Sequence, residues 1–372
     1  STVYPDAVYM IRATIFPGRY VQGPDALKAL GRELKRFGDN AFVIADPFVF
    51  EKIIPSIKAS LLKEVSAEII EFNGECSDEE IDRLSAIAKG KTEVLVGIGG
   101  GKALDTAKAV AHNLKIPVVI VPTIASTDAP CSALSVVYTP EGEFKRFIFF
   151  PKNPDLVLLD SKVIADAPAR FLVSGMGDAL ATWFEARSCE IGNAKNMTGN
   201  PGSMTAYSLA KLCYETLLRY GEQAKNACEA HIVTPALEKV IEANTLLSGL
   251  GFENGGLAAA HAIHNGLTVL EETHRYFHGE KVAVGTLASL FLTGKDPAVI
   301  DEVYDFCETV GLPTTLAEIG LGDATDEQLM KVASASCAEG ETIHNELVEI
   351  TPQTVFSAIK AADAYGKYRK QE

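Results

Sequence analysis

The 372 residues include 34 Lys and Arg against 49 Asp and Glu, a formal net charge of −15. That balance disfavours nucleic acid or an anionic membrane surface as a partner. No apolar run approaches the ~20 residues that span a bilayer, and the start, Ser1-Thr2-Val3-Tyr4-Pro5-Asp6, lacks the pattern of a signal peptide. Seven cysteines, an odd number without a C-x-x-C pair, read as reduced thiols of a cytoplasmic protein, not as a disulfide framework or a thiolate metal cage. With 47% hydrophobic and 22% charged residues, a chain this long predicts a globular protein of two domains.

Near the N-terminus, Gly18-Arg19-Tyr20-Val21-Gln22-Gly23 begins an edge strand used in pairing or merely covers its own sheet. Ala41-Phe42-Val43-Ile44-Ala45, ending at Asp46, predicts a strand, and 67–72 a second. Ser77-Asp78-Glu79-Glu80 forms a capping box that opens a helix running to about Ala88. Further strands are expected over 93–98, 117–122 and 156–160. The segments 135–138 and 144–150 flank Thr139-Pro140-Glu141-Gly142 as an antiparallel hairpin. Continuous apolar runs separated by helices imply a mostly parallel, Rossmann-like sheet covered on both faces. After Pro168 the texture turns Ala-, Leu- and Glu-rich with helical periodicity over 169–190, 203–220, 223–230, 235–251, 256–270, 280–293 and 297–311. The expectation is an α/β domain over 1–164 followed by an all-α domain over 165–372.

Gly97-Ile98-Gly99-Gly100-Gly101-Lys102-Ala103-Leu104-Asp105-Thr106 follows a predicted strand and opens a helix. Glycines let backbone N–H groups approach a pyrophosphate, and a helix N-terminus favours the anion. The loop departs from the usual dinucleotide fingerprint, with Lys102 where a third glycine belongs, and Ala103 rules out a Walker A loop. A bare strand-to-helix turn is the plain alternative, but three glycines at a helix start cost stability without packing in return. Asp46, closing an earlier strand, could accept hydrogen bonds from a ribose and repel a 2′-phosphate, which favours NAD over NADP. A turn aspartate before Pro47 has the same appearance.

Asp178, His261 and His278 offer one carboxylate and two imidazoles, the donors a divalent ion such as zinc takes when it keeps a position open for substrate. Cofactor plus Lewis acid suggests hydride chemistry on an alcohol. The bland readings are core histidines with satisfied hydrogen bonds and, for Gly255 to Ala260, a close helix contact. His264 is a fourth ligand or a substrate contact, and Phe252 an apolar wall or a plain core residue. His274 reads as a surface histidine, the roles of Glu339, Glu341 and His344 stay open, and His112 and His231 carry no assignment.

The run Gly99 to Lys108, the run Pro122-Thr123-Ile124-Ala125-Ser126-Thr127-Asp128-Ala129, and Asp178, His261 and His278 together resemble the glycerol dehydrogenases of the group III, metal-dependent ("iron-containing") alcohol dehydrogenase family. The resemblance covers nearly the whole chain and implies a dehydroquinate synthase-like fold with the active site in the cleft between two domains. It implies NAD, one zinc ion per subunit held by Asp178, His261 and His278, and reversible oxidation of glycerol and other 1,2-diols to dihydroxyacetone-type ketones. Asp128 then contacts the diol, with Phe252 and His264 beside it. Asp46, Gly99, Gly100, Gly101, Lys102, Asp105, Thr123, Ser126, Ser132, Leu134 and Tyr138 are the implied cofactor contacts. Iron-using relatives carry a histidine four residues after the aspartate; Thr182 stands there in this chain, which suits three-ligand zinc. The resemblance also implies a homo-oligomer built of dimers, up to an octamer. A glycerol-1-phosphate dehydrogenase or a dehydroquinate synthase-like lyase are the alternatives on this scaffold. Both handle phosphorylated substrates, and 174–186 and 250–270 contain no Lys or Arg.

Overall fold

The computed structural model describes residues 10–371; Ser1–Tyr9, most of the unexplained extension Ser1–Ala13, and Glu372 lie outside them. The chain forms two compact units. One comprises Phe16–Ala169 with Asn226–Leu246; the other comprises the segment ending at Ile15, Arg170–Lys225 and the chain from Leu247 onward.

The first unit is built on a six-stranded parallel sheet. Its strands are β1 (Tyr20–Gly23), β2 (Asn40–Ala45), β3 (Ser66–Glu71), β4 (Val94–Gly99), β5 (Val118–Pro122) and β8 (Leu156–Asp160), in the order β1-β8-β5-β4-β2-β3. The central strands are apolar up to their ends because both faces are covered: all residues of β4, β5 and β8 are buried, Asp160 at the end of β8 being the one charged residue among them. Helices α1 (Leu30–Lys35), α2 (Pro47–Lys52) and α3 (Ile54–Glu64) pack as one group, and α4 (Asp78–Ala88) packs on α5 (Gly101–Leu114). From β2 the chain crosses outward to β3, then returns to β4 on the other side of β2. The order therefore reverses at the β2/β4 pair, and a crevice opens at the carboxyl ends of those strands, where open α/β sheets bind ligands. The segment Tyr20–Gly23 is an edge strand, paired in parallel with β8. The hairpin is the antiparallel pair β6 (Leu134–Tyr138) and β7 (Phe144–Phe149).

Beyond Pro168 the elements are helical, as expected: α6 (Ser161–Asp166) gives way to α7 (Ala169–Gly192), α8 (Met204–Glu229), α9 (Pro235–Glu242), α10 (Ser248–Gly255), α11 (Ala259–Leu267), α12 (His278–Leu292), α13 (Pro297–Val310), α14 (Asp326–Ser336) and α15 (Pro352–Lys370). Two details differ from the periodicity. The helices expected over 203–220 and 223–230 are the single helix α8. Gly221 does not break it; a side chain there would meet Phe306 Cε2 at 2.8 Å, so the glycine is a packing contact. The helix expected over 235–251 is interrupted by a π-helical turn, Ala243–Leu247, in which Asn244 donates its side-chain amide to the Ala125 carbonyl.

Candidate functional site

At the carboxyl end of the sheet, Asp46 caps α2 through Oδ1, which accepts from the Val49 N–H at 2.9 Å. Its other oxygen accepts from the Gly100 N–H at 3.1 Å, across the switch point. Asp46 is thus the turn aspartate of the plain reading, and its second oxygen borders the glycine loop. Gly99 has φ +151°, and a Cβ there would lie 2.4 Å from Asp46 Oδ2, so this position admits only glycine. Gly101, in contrast, faces open space, and Gly100 nearly so. The hollow in front of them is bordered by Asp105, Ile124, Ser126, Thr127 and Pro130. Thr123 is buried and joins β5 to the loop, its N–H donating to the Gly99 carbonyl at 3.2 Å.

The other expected cofactor contacts sit on or beside the hairpin. Lys102 pairs with Glu75 at 3.0 Å and lies 5.4 Å from the centre of the Tyr138 ring. Asp105 accepts from the Val136 N–H, and burial pushes its carboxyl up to about 6 despite the opposing charge of Lys108 and that hydrogen bond. Leu134 is half-buried on β6. Ser132 is turned inward: it is fully buried, donates to the Ala129 carbonyl and accepts from Lys108 Nζ. Asp128 is buried at the head of the turn Ala129–Cys131.

In the helical unit Asp178, His261 and His278 converge. Asp178 Oδ1 lies 3.1 Å from His261 Nε2 and 3.1 Å from His278 Nε2, and one donor atom from each residue falls within 4.8 Å of the others. Glycines make this approach possible. A Cβ on Gly177, the residue before Asp178, would lie 2.3 Å from the Gly279 carbonyl oxygen. One on Gly279, the residue after His278, would lie 1.7 Å from that of Ser174. Further along α12, a Cβ on Gly285 would meet the Ala260 carbonyl oxygen at 2.3 Å, which brings α11 onto α12. Three backbones thus touch where three donors are wanted. The start of α12 is also gripped by α7. Arg170 pairs with Glu280 at 2.8 Å and covers the Phe277 ring at 4.0 Å, Phe171 stacks on that ring, and Ser174 Oγ accepts from the Gly279 N–H.

The electrostatics fit a cation. His261 meets a carboxylate on each ring nitrogen: Glu185 Oε1 at 2.5 Å from Nδ1, and Asp178 at Nε2. A neutral imidazole has one N–H, so two carboxylates leave a lone pair facing an oxygen unless a proton or a metal lies between. Burial pushes the Asp178 carboxyl up, but the charge and hydrogen bonds of His278 and His261 outweigh it and hold it well below the usual range. For His261 burial opposes the charge, yet Glu185 and Asp178 raise the imidazole well above its ordinary value. Around a tetrahedral zinc, with bonds of about 2.0–2.2 Å, adjacent donors lie roughly 3.3 Å apart. The two 3.1 Å separations are close to that.

His264 lies on the same helix with its ring 4.4 Å from that of His278, and burial, then the nearby His278 and His261, lower its pKa well below the ordinary value. Thr182, one turn on from Asp178, is fully buried, shares a hydrogen bond with Ser248 and abuts Gly251, whose Cβ would fall 2.6 Å from its methyl group. Phe252 is buried on α10. Sequence reasoning gave Glu185 no role. The available signal was its spacing: seven residues, about two helical turns, separate it from Asp178, which places both on one face of α7. Of the residues left open, His344 donates to carbonyls at the end of α14, Glu341 accepts from Asn265, and Glu339 is exposed. His274 is exposed and bonded to the Thr268 carbonyl.

Two units, one carrying a glycine loop at a sheet switch point and the other a carboxylate–imidazole cluster, define a metal-dependent dehydrogenase of the iron-containing alcohol dehydrogenase family, and the chain belongs to that family. The family profile, "Iron-containing alcohol dehydrogenase", matches residues 17–161. Within the family the chain is 66% identical to glycerol dehydrogenase of Thermotoga maritima, over 97% of this chain and 99% of that one. It is 53% identical to glycerol dehydrogenase of Citrobacter freundii, covering 96% and 99%. The crystal structure of glycerol dehydrogenase from Schizosaccharomyces pombe superposes with a TM-score of 0.92 at 41% identity, covering 97% of this chain and 93% of that one. Among the described residues no helix is long and apolar enough to cross a membrane.

Proposed function

We propose that the protein oxidises glycerol and related 1,2-diols reversibly, transferring hydride from the carbinol carbon to NAD and giving dihydroxyacetone from glycerol. The observation that carries this reading is a single buried oxygen, Asp178 Oδ1, met by two imidazole nitrogens at 3.1 Å. Asp178, His261 and His278 would hold one divalent cation. Zinc suits this set of three donors, with Thr182 in place of a further nitrogen. When bound, such an ion supplies Lewis acidity, which lowers the pKa of bound water by roughly eight units, an effect worth on the order of 10 kcal/mol for a hydroxyl. A hydrogen bond to a charged group supplies only about 1.5–3 kcal/mol, so this chain's other side chains act mainly by orientation.

Asp128 accepts a hydrogen bond from a remaining hydroxyl of the diol and fixes which carbon faces the nicotinamide. His264 and Phe252 complete the substrate wall. Gly100 offers bare backbone beside the pyrophosphate, its own N–H being held by Asp46, and the backbone N–H groups of Gly101 and Lys102 at the start of α5 receive it. Asp46, Asp105, Thr123, Ser126, Leu134 and Tyr138 supply the remaining cofactor contacts, with Ser132 acting from behind by holding Lys108, and the Asp46 carboxylate selects NAD by repelling a 2′-phosphate. The absence of Lys and Arg from 174–186 and 250–270 argues against a phosphorylated substrate. The reading extends to a cytoplasmic homo-oligomer built of dimers, up to an octamer.

The test is a kinetic panel of glycerol, 1,2-propanediol and glycerol phosphate with NAD and NADP, together with elemental analysis of the protein. NADH formation with the two free diols and one zinc per chain are expected. Turnover of glycerol phosphate alone, or full activity after Asp178→Asn, would overturn the proposal.

A further inference from the structure

The geometry points to Glu185 as the residue that positions His261 for metal binding, by fixing both the helix that carries the imidazole and the tautomer that the imidazole adopts. This rests on the metal reading given above. The residue at the N-cap of α11 is Ala258, whose side chain cannot cap it. Its first N–H groups are instead received by carboxylates from elsewhere in the fold. Glu185 Oε2 accepts from the Ala258 N–H at 2.7 Å and from the His261 N–H at 3.0 Å, while Glu346 Oε1 accepts from the Ala259 N–H at 3.2 Å. The second Glu185 oxygen, Oε1, accepts a hydrogen bond from His261 Nδ1. One buried carboxylate therefore anchors the backbone of residue 261 and holds its ring.

The consequence is chemical as well as steric. With the proton kept on Nδ1, the free lone pair of a neutral ring lies on Nε2, the atom that faces Asp178. The spacing on α7 makes this work: Asp178 and Glu185 lie on one face roughly 10 Å apart along the axis, and the imidazole spans the gap, one nitrogen toward each. A carboxylate on the far nitrogen also raises the basicity of the ligating one. Glu346 provides the structural comparison. It is half-buried, accepts from Ser188 Oγ at 2.8 Å and caps the same helix through the Ala259 N–H, with no bond to the ring.

The experiment compares metal-stripped wild type, Glu185→Gln and Glu346→Gln. Zinc affinity is measured by competition with a chromophoric chelator, and stability of the stripped proteins by urea unfolding. A Gln at 185 must present its amide N–H₂ either to the ring N–H or to two backbone N–H groups. Its zinc dissociation constant is expected to rise roughly 10–100-fold, the usual effect of losing such a partner. Glu346→Gln should lose stability without losing affinity. Equal affinity of Glu185→Gln and wild type overturns the inference, and so does an affinity loss in both variants that merely follows their stability. Should Glu185→Gln fail to fold, Glu185→Asp carries the same comparison, because it keeps the charge but withdraws it from the ring by one methylene. Wild type that binds no zinc would instead sink the metal reading itself, so the two failures are distinguishable.

Discussion

Replacing Gly279 with alanine tests whether close backbone contact builds the candidate metal centre. The new Cβ would lie 1.7 Å from the Ser174 carbonyl oxygen, and contacts below 3.0 Å essentially never occur, so α7 and the start of α12 must part by about 1.3 Å. The obstacle is backbone, which cannot rotate aside. Overpacking of this kind typically costs about 1–3 kcal/mol, and here the upper end or more is expected. The functional effect should be larger than the loss of stability suggests. His278 is the neighbouring residue, and metal sites tolerate only about ±0.2 Å in ligand distance. A displacement of 1 Å can lower a rate about 10²-fold. The assay is zinc affinity by chelator competition and turnover with glycerol, on protein shown to be folded by its urea transition. Gly23→Ala, where a Cβ meets nothing within 4 Å, is the control for the substitution itself. If Gly279→Ala kept wild-type zinc affinity and turnover, the argument from close helix contact would be wrong.

Gly99→Ala should weaken NAD binding strongly while leaving zinc affinity intact, because the side chain would need a φ near +151° and would collide with Asp46; titration of each ligand separately checks this. Thr182→His should not create a tighter, four-ligand site. Gly251 already abuts the threonine methyl group, so the variant should lose about 1–3 kcal/mol in urea unfolding without gaining metal affinity. Burial pushes the Asp105 carboxyl up from the ordinary 3.8 to about 6 in the folded protein. The folded state therefore binds the proton more tightly, and this group's contribution to stability is highest below pH 4 and falls as pH rises through 4 to 6. The loss is on the order of 2–3 kcal/mol, complete above pH 6. Asp105→Asn should flatten that segment of the stability–pH curve, and an unchanged curve would refute the assignment.

The sheet was legible in the chain because strands covered on both faces must be apolar throughout. The runs at 41–45, 67–72, 93–98, 117–122 and 156–160 all fall on strands, displaced by a residue or less at most ends. The residue types of the metal cluster were legible too, since carboxylate and imidazole are chemistry written in the side chain. What sequence could not carry was mutual geometry. Helices expected over 203–220 and 223–230 are one helix, α8, and Gly221 between them is the point where Phe306 packs close.

Likewise, a glycine beside each of Asp178 and His278 has no meaning until α7 and α12 touch. Glu185 carries no motif, and its two bonds around His261 arise only when α11 is laid across α7. The segment Asn226–Leu246 has the helical texture of its neighbours, yet it belongs to the compact unit of the sheet. Local patterning determines which residues must be buried and which can react. Which backbones approach within van der Waals contact, and so which reactive groups meet, depends on packing between segments distant in the chain, and that is decided only when the whole chain folds.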